Sequence, residues 1–209
     1  PHMAALHILA PRSQRLRYLG GQSVDASIDG VRGRYAIASC PCEDRHIEIH
    51  VPRRPGDAFA EAVFHQIKPN DTVNVEGPYG EFVLDEDSPR PVIFLAFGAG
   101  FAPIKSLIQH AMSLEIAESM DLHWLADEAG HYQDNLCRAW TDALDNFDYV
   151  PHAQSDAPDG VLAAIMMDYP DLHRFDVYAA GTAVQLEQAR VQCVRQGLPD
   201  VRWFAGAID

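Results

Sequence analysis

Residues 91–112 combine an apolar run, a glycine turn and a helix pattern in immediate succession. Val92 to Phe97 are long enough for a buried strand, and Gly98-Ala99-Gly100 separate them from the helix pattern. Glycines let the backbone approach a ligand closely, and the N–H groups that begin a helix favour an anion such as a pyrophosphate. Pro103 suits the first helical turn. The stretch predicts a strand–turn–helix unit, which fits either a nucleotide site or a plain connection.

The second half of the chain repeats this alternation of strand and helix patterns. Strands are predicted at 92–97, 121–126, 147–151 and 175–180, with an edge strand at 201–205, and helices at 102–115, 134–144, 160–168 and 183–197. Such alternation is typical of a parallel sheet with helices on both faces, where ligands bind at the carboxyl ends of the strands. We therefore predict an α/β parallel-sheet nucleotide-binding domain over residues 90–209.

The first half instead shows short strand patterns separated by turns. The predicted strands are Leu6–Leu9, Ser23–Ile28, Tyr35–Ser39, His46–Val51 and Thr72–Glu76, with Glu81–Leu84 as a further candidate. A single helix is predicted near 57–67, capped by Asp57 and with Phe59, Val63, Phe64 and Ile67 on its apolar face. These elements indicate a small antiparallel β-barrel over residues 4–86. The polar tract 85–90 is the predicted domain boundary.

Charge and cysteine content limit the partners and the setting. The net charge of -14 argues against nucleic acid and anionic membrane surfaces, and favours a basic partner protein. No apolar run approaches the ~20 residues of a membrane span. Of the four cysteines only Cys40 and Cys42 are close in sequence, so we expect a reducing, cytoplasmic setting. No cysteine spacing suits a structural zinc site or an iron–sulfur cluster.

Two local patterns have a chemical and a plain interpretation. His46, Glu48 and His50 alternate along a predicted strand and share a face, which fits a metal site but more often a solvated outer face. Cys40-Pro41-Cys42 suggests redox or metal chemistry, but without further ligands nearby we interpret it as a turn. We therefore predict no metal site.

Several segments occur together in a characteristic order and spacing. They are Gly21-Gln22-Ser23-Val24, Tyr35-Ala36-Ile37-Ala38-Ser39, Pro55-Gly56, residues 76–82 (EGPYGEF), residues 98–104 (GAGFAPI) and Gly181 before a long helix. As an ordered set they resemble the ferredoxin–NADP reductase superfamily. The resemblance is strongest to the flavin-dependent reductase components of bacterial oxygenases and to NAD(P)H–flavin reductases, and it covers nearly the whole chain.

The resemblance implies that the barrel binds FAD and the second half binds NADH. It assigns cofactor binding to Tyr35, Ala36, Ile37, Ala38, Ser39, His50, Val51, Gly56, Ala58, Phe59, Ala60, Gly98, Ala99, Gly100, Ala102, Pro103, Asp127, Gly181 and Thr182. Tyr35 would stack on the flavin ring, although a core tyrosine fits the pattern equally well. The turn at 76–82 would lie beside the flavin. Asp127 would bind a ribose hydroxyl and favour NADH over NADPH, or would belong to a solvated loop.

The chain departs from the family pattern at three places. The family has an arginine, and a serine or threonine, where this chain has Gly33 and Ala36. It has a hydroxyl residue that bonds the pyrophosphate where this chain has Ala60, and Asp57 adds negative charge nearby. The cysteine of the family's Cys-Gly-Pro-Pro motif corresponds to Ala180, and we interpret the nearby Thr182 as a helix cap.

Two functions follow from these agreements and departures. The first is an NADH-dependent flavin oxidoreductase that passes electrons via FAD to an iron–sulfur or oxygenase partner. The alternative is a degenerate reductase-like module that has lost flavin and serves as a docking or regulatory domain. The family barrel normally has one more strand before Ala4, so the resemblance also implies a piece of a longer protein. A ferredoxin-type domain in the same longer chain is then the expected electron acceptor.

Overall fold

The computed structural model describes residues 2–43, 45–153 and 158–208, and its first part consists of two antiparallel sheets around one core. The elements of this part are β1 (Met3–Leu9), β2 (Ser23–Ile28), β3 (Val31–Ala36), β4 (His46–Pro52), α1 (Ala58–His65) and β5 (Asn74–Tyr79). β1 pairs with β4, and the other sheet has the order β3-β2-β5. A bridge between Ile37 and Ile49 joins the two sheets. The predicted antiparallel fold of this half is confirmed.

Alternating residues of the strands form the core of this part. Val24, Ala26 and Ile28 of β2 are buried, while the residues between them are partly exposed. Helix α1 covers the core with Phe59, which is fully buried. Asp57 caps this helix as predicted, because its Oδ1 accepts the Ala60 N–H at 2.9 Å.

One predicted strand of this half is wrong. Residues Glu81–Leu84 form no strand. Leu84 is buried in the core of the second part, and Phe82 packs against that same core. The apolar residues of this stretch thus pack across the domain boundary instead of completing a sheet.

The second part is a five-stranded parallel sheet with the order β10-β9-β6-β7-β8. Its elements are β6 (Val92–Phe97), a 3₁₀ turn (Gly98–Gly100), α2 (Phe101–Leu114), β7 (Met120–Leu125), α3 (Asp134–Ala143), β8 (Phe147–His152), α4 (Pro158–Asp168), β9 (Asp176–Gly181), α5 (Ala183–Arg195), a second 3₁₀ turn (Asp200–Arg202) and β10 (Trp203–Ala207). The predicted alternation is confirmed. Every residue of β6 is buried, which explains the unbroken apolar run.

The strand order places a crevice at the carboxyl ends of the neighbouring strands β6 and β9. The chain runs from β6 to β7 and β8 on one side, and then returns to the other side of β6 through β9 and β10. The connections that follow β6 and β9 therefore leave in opposite directions, and ligands of open α/β sheets bind at such switch points. The glycine turn at 98–100 and Gly181 lie at this point.

None of the described helices combines the length and apolar composition that a bilayer span requires. The turn at residues 40–42 is present as predicted, but Cys40 and Cys42 are joined in a disulfide that the sequence did not indicate. Cys137 and Cys193 are buried free thiols.

His123 on β7 is a buried histidine whose ring is held by two neighbours. Its Nδ1 lies 3.1 Å from His152 Nε2, and its Nε2 lies 3.2 Å from the Tyr169 hydroxyl. Burial, and to a lesser extent the neighbouring His152, lower the pKa of His123 to about 4 from an ordinary value of 6.5. The folded protein therefore resists protonation of this ring.

Acidification is expected to destabilise the fold through His123. Between pH 6.5 and 4 the unfolded chain binds a proton at this residue that the folded chain does not, so stability falls as the pH falls through this window. The expected loss is about 3 kcal/mol. Urea unfolding at several pH values should show a shallower pH dependence for His123→Gln than for the wild type. Equal slopes would contradict the assignment.

Candidate functional site

A cleft of about 590 Å³ lies between the two parts of the molecule. This volume is in the range of small-molecule sites. The first part contributes Gly21, Ser23, Gly33, Arg34, Tyr35, Ala36, His50, Pro52, Arg54, Asp57, Tyr79, Gly80, Glu81 and Phe82, and the second contributes Ala99, Ala102, Pro103 and 203–208. The start of α2 and strand β10 therefore face the carboxyl ends of β3 and β5 across the cleft.

Tyr35 lies at the side of the cleft formed by β3 and α1. Its ring packs against Phe59 with a centroid separation of 5.2 Å, and its hydroxyl donates to Asp57 Oδ2 at 2.9 Å. The ring also lies over Gly33, where an added Cβ would come within 2.7 Å of it. Burial, together with the Asp57 carboxylate, raises the pKa of Tyr35, so the hydroxyl remains a donor. Tyr35 is thus both a core residue and part of the cleft wall.

Arg34 and Tyr79 form another part of the wall. The Arg34 guanidinium donates twice to Asp25, at 2.7 and 3.0 Å, and lies 4.3 Å from the centre of the Tyr79 ring. Because adjacent strand residues point to opposite faces, Arg34 does not take the place of a side chain at Gly33. Its charge is already paired with a carboxylate.

The glycine turn after β6 is closely packed on three sides. The Gly98 carbonyl accepts the Trp124 Nε1–H at 3.0 Å, and the Asp127 carboxylate lies directly against Gly98. A Cβ added at Gly100 would overlap the carbonyl oxygen of Ala180 on β9. Asp127 Oδ1 also accepts the Ala129 N–H at 2.8 Å. A carboxylate is thus fixed beside the turn that begins α2, and its role toward a ribose stays a prediction.

Thr182 caps helix α5, as the sequence indicated. Its Oγ1 accepts the Gln185 N–H at 3.4 Å, while the Gln185 side chain accepts the Thr182 N–H at 2.9 Å. This capping box provides acceptors for two backbone N–H groups at the helix start that have no partner within the helix. Gly181 beside it packs against Phe97, where an added Cβ would come within 2.8 Å.

A buried charged network lies behind the cleft wall. Lys105 on α2 donates to Glu48 Oε2 at 2.6 Å, and His50 Nε2 lies 2.7 Å from Glu48 Oε1. The Tyr132 hydroxyl lies 2.8 Å from His50 Nδ1. The expected solvated outer face of β4 is therefore wrong for Glu48 and His50, because α2 and the segment before α3 cover it, while His46 is exposed. Within the described residues, no group of three His, Cys, Asp or Glu could hold a metal ion.

The protons in this network are fixed by its donors and acceptors. An ionised carboxylate only accepts, so His50 carries its proton on Nε2 and accepts at Nδ1 from the Tyr132 hydroxyl. Burial lowers the pKa of His50 and keeps the ring neutral. Burial alone would raise the pKa of Glu48, but the bonds from His50 and Lys105 outweigh it and hold that pKa well below its usual range. The network is thus one ion pair with a neutral imidazole.

Only some of the predicted cofactor residues line the cleft. Those that do are Tyr35, Ala36, His50, Ala99, Ala102 and Pro103, together with Tyr79 to Phe82 of the predicted turn. Those that lie outside the lining are Ile37, Ala38, Ser39, Val51, Gly56, Ala58, Phe59, Ala60, Gly98, Gly100, Asp127, Gly181 and Thr182. The sequence predicted an edge strand at 201–205, but it assigned no place in the cleft to Pro52, Arg54 or residues 203–208. Only knowledge of the sheet order would have brought that last strand to the cleft.

Comparisons with known proteins agree with this architecture. Residues 3–84 match the oxidoreductase FAD-binding domain. The CDP-6-deoxy-L-threo-D-glycero-4-hexulose-3-dehydrase reductase of Yersinia pestis is 31% identical over 211 residues, which cover 98% of this chain and 64% of that protein. Reductase component 2 of the terephthalate 1,2-dioxygenase of a Comamonas species is 29% identical, covering 95% of this chain and 61% of that protein.

Solved structures share the fold at lower identity. Phthalate dioxygenase reductase superposes with a TM-score of 0.78 at 17% identity, covering 99% of this chain and 63% of that one. A ferredoxin NADP+ reductase from Neisseria gonorrhoeae with bound FAD and NADP gives a TM-score of 0.80 at 13% identity, covering 99% of this chain and 92% of that one.

The two-part fold and the cleft between the parts have the architecture of flavin-dependent reductases of known structure. Residues 3–84 match an oxidoreductase FAD-binding domain, and the chain as a whole is similar to reductases and shares the fold of a ferredoxin NADP+ reductase. The family resemblance inferred from the sequence is thus confirmed. The chain spans about 64% of the length of the Yersinia relative.

The cleft fits the ring of a flavin better than its phosphates. The flat side chains of Tyr79, Phe82 and Phe204 and the backbone of Gly80 offer the apolar surface and polar main-chain groups that a flavin ring requires. The position where α1 begins is different, because the Asp57 carboxylate already accepts the helix N–H there. The lining near Tyr79 and Phe82 is therefore suited to a flavin ring, whereas the start of α1 is poorly suited to a flavin phosphate.

Proposed function

We propose that this chain is the flavin- and nicotinamide-binding part of an NADH-dependent reductase that passes electrons via FAD to an iron–sulfur or oxygenase partner. The supporting observation is the cleft, which joins an FAD-binding domain to the switch point of the parallel sheet. The names of its relatives, reductases that serve a dehydrase and a dioxygenase, agree with such a role.

The chemistry requires two rings held face to face away from water. A bound flavin accepts a hydride and returns electrons one at a time, which suits an iron–sulfur acceptor. The chain would contribute the walls of the cleft and the start of α2, whose N–H groups favour a dinucleotide pyrophosphate. Asp127 beside this turn would disfavour the extra phosphate of NADPH.

A second function, a docking or regulatory module without flavin, is favoured by one set of observations. Gly33, Ala36 and Ala60 replace three polar contacts that the family resemblance implies. The Tyr35 ring also lies over Gly33, so a larger side chain at position 33 would collide with this ring. The two functions differ in whether hydride from NADH reaches a flavin.

Anaerobic flavin reduction separates the two functions. With the protein, excess FAD and NADH, the flavin absorbance near ~450 nm is expected to bleach much faster than without the protein. NADPH is expected to act roughly tenfold more slowly because of Asp127. A bleaching rate equal to that of the protein-free mixture would rule out the reductase and support the docking module.

A further inference from the structure

We infer that Asp57 determines which flavins the cleft binds, because its carboxylate takes the place that a flavin phosphate would occupy at the start of α1. The chain then holds flavins through the ring and the ribityl chain, and it gains little affinity from FMN or FAD phosphates. The inference rests on the proposed function, since it concerns the flavin end of the same cleft.

The first support is the way Asp57 is held. Its Oδ1 accepts the Ala60 N–H at 2.9 Å, and its Oδ2 accepts the Tyr35 hydroxyl at 2.9 Å. These bonds come from a helix and a strand, so the carboxylate cannot swing aside without breaking both. The N–H groups of a helix start are where an anion of a ligand is best stabilised. Here the protein supplies that anion itself.

The second support is the charge around this point. Glu61, in the first turn of α1, lies outside the cleft lining and 3.5 Å from His65, so Asp57 is the carboxylate of this helix start that lines the cleft. Arg54 also lines the cleft, and among the described residues no hydrogen bond or ion pair engages its side chain. It lies close enough to Tyr35 to oppose the rise of that residue's pKa. Among the side chains that line the cleft, the two cations Arg34 and Arg54 are matched by the carboxylates of Asp57 and Glu81, and Arg34 is already paired with Asp25, so no surplus positive charge is left for a phosphate.

The third support is that the space in front of Gly33 on β3 is already filled. The Tyr35 ring fills the space in front of Gly33, and the neighbouring Arg34 is paired with Asp25. Arg32, the other arginine of β3, lies two residues from Arg34 and therefore on the same face of the strand, so neither arginine takes the place in front of Gly33. Riboflavin has no phosphate, whereas FMN and FAD bring negative charge toward Asp57. We expect the cleft to discriminate against that charge.

The test is a fluorescence titration of the ligand-free protein with riboflavin, FMN and FAD. The wild type is expected to bind riboflavin at least as tightly as FAD. Asp57→Asn keeps a good helix cap but removes the charge, and it should tighten FMN and FAD by roughly tenfold while leaving riboflavin unchanged. Asp57→Ser, which also caps the helix, should act in the same direction. Asp71→Asn removes a carboxylate from an exposed turn of the barrel and should change none of the three affinities.

The outcomes distinguish the inference from the function on which it rests. If the wild type prefers FAD to riboflavin by roughly tenfold or more, or if both Asp57 variants leave the FAD affinity unchanged, the inference is wrong while the reductase function stands. If the wild type binds none of the three flavins, the proposed function fails and the inference fails with it.

Discussion

Replacement of Lys105 by methionine is expected to lower the free energy of unfolding by about 3–5 kcal/mol. The ammonium group donates to Glu48 Oε2 at 2.6 Å, and both side chains are almost fully buried. Without the lysine, the Glu48 carboxylate stays in the interior with its charge uncompensated. Urea unfolding near neutral pH measures the loss.

The chain offers a matched control for this substitution. Its only other lysine, Lys68, is exposed, and Lys68→Met is expected to change stability by less than about 0.5 kcal/mol. Glu48→Gln combined with Lys105→Met removes both charges, and it should recover a large part of the stability lost in the single variant. If Lys105→Met and Lys68→Met had equal effects, the removal of Lys105 would leave no uncompensated buried charge, and the buried contact between Lys105 and Glu48 would be wrong.

The same network explains why part of the site could not be predicted. An alternating run such as His46-Ile47-Glu48-Ile49-His50 normally indicates a strand with one polar face in water. Here that face is covered by Lys105, which lies 57 residues along the chain from Glu48. The cover is a consequence of domain packing, and a local sequence pattern contains no information about it.

Other features were predictable because their causes are local. Strand β6 is buried on both faces, so its sequence is apolar throughout, and Asp57 and Thr182 cap helices through contacts only three residues away. The cleft wall formed by 203–208 depends instead on β10 pairing with β9, and thus on the order of the whole sheet. Sequence therefore predicted the fold and the position of its glycine turn better than the walls of the cleft.

Gly100→Ala is expected to lower the free energy of unfolding by at least about 3 kcal/mol. The added methyl group would overlap the backbone carbonyl of Ala180, which a rotamer change cannot relieve. The start of α2 would have to move away from β9, and with it the turn proposed to receive the dinucleotide. Thermal and urea unfolding measure the first effect, and the NADH dependence of flavin reduction measures the second.

Gly160→Ala is the matched control, because it adds the same methyl group to a helix where no atom lies within 4 Å of the new Cβ. Alanine is the better helix former, so this variant should be more stable than the wild type by up to about 1 kcal/mol. The two substitutions are thus expected to have opposite signs. If Gly100→Ala were also neutral or stabilising, the close contact between the glycine turn and β9 would be wrong, and the helix start would have the freedom to bind its ligand in another geometry.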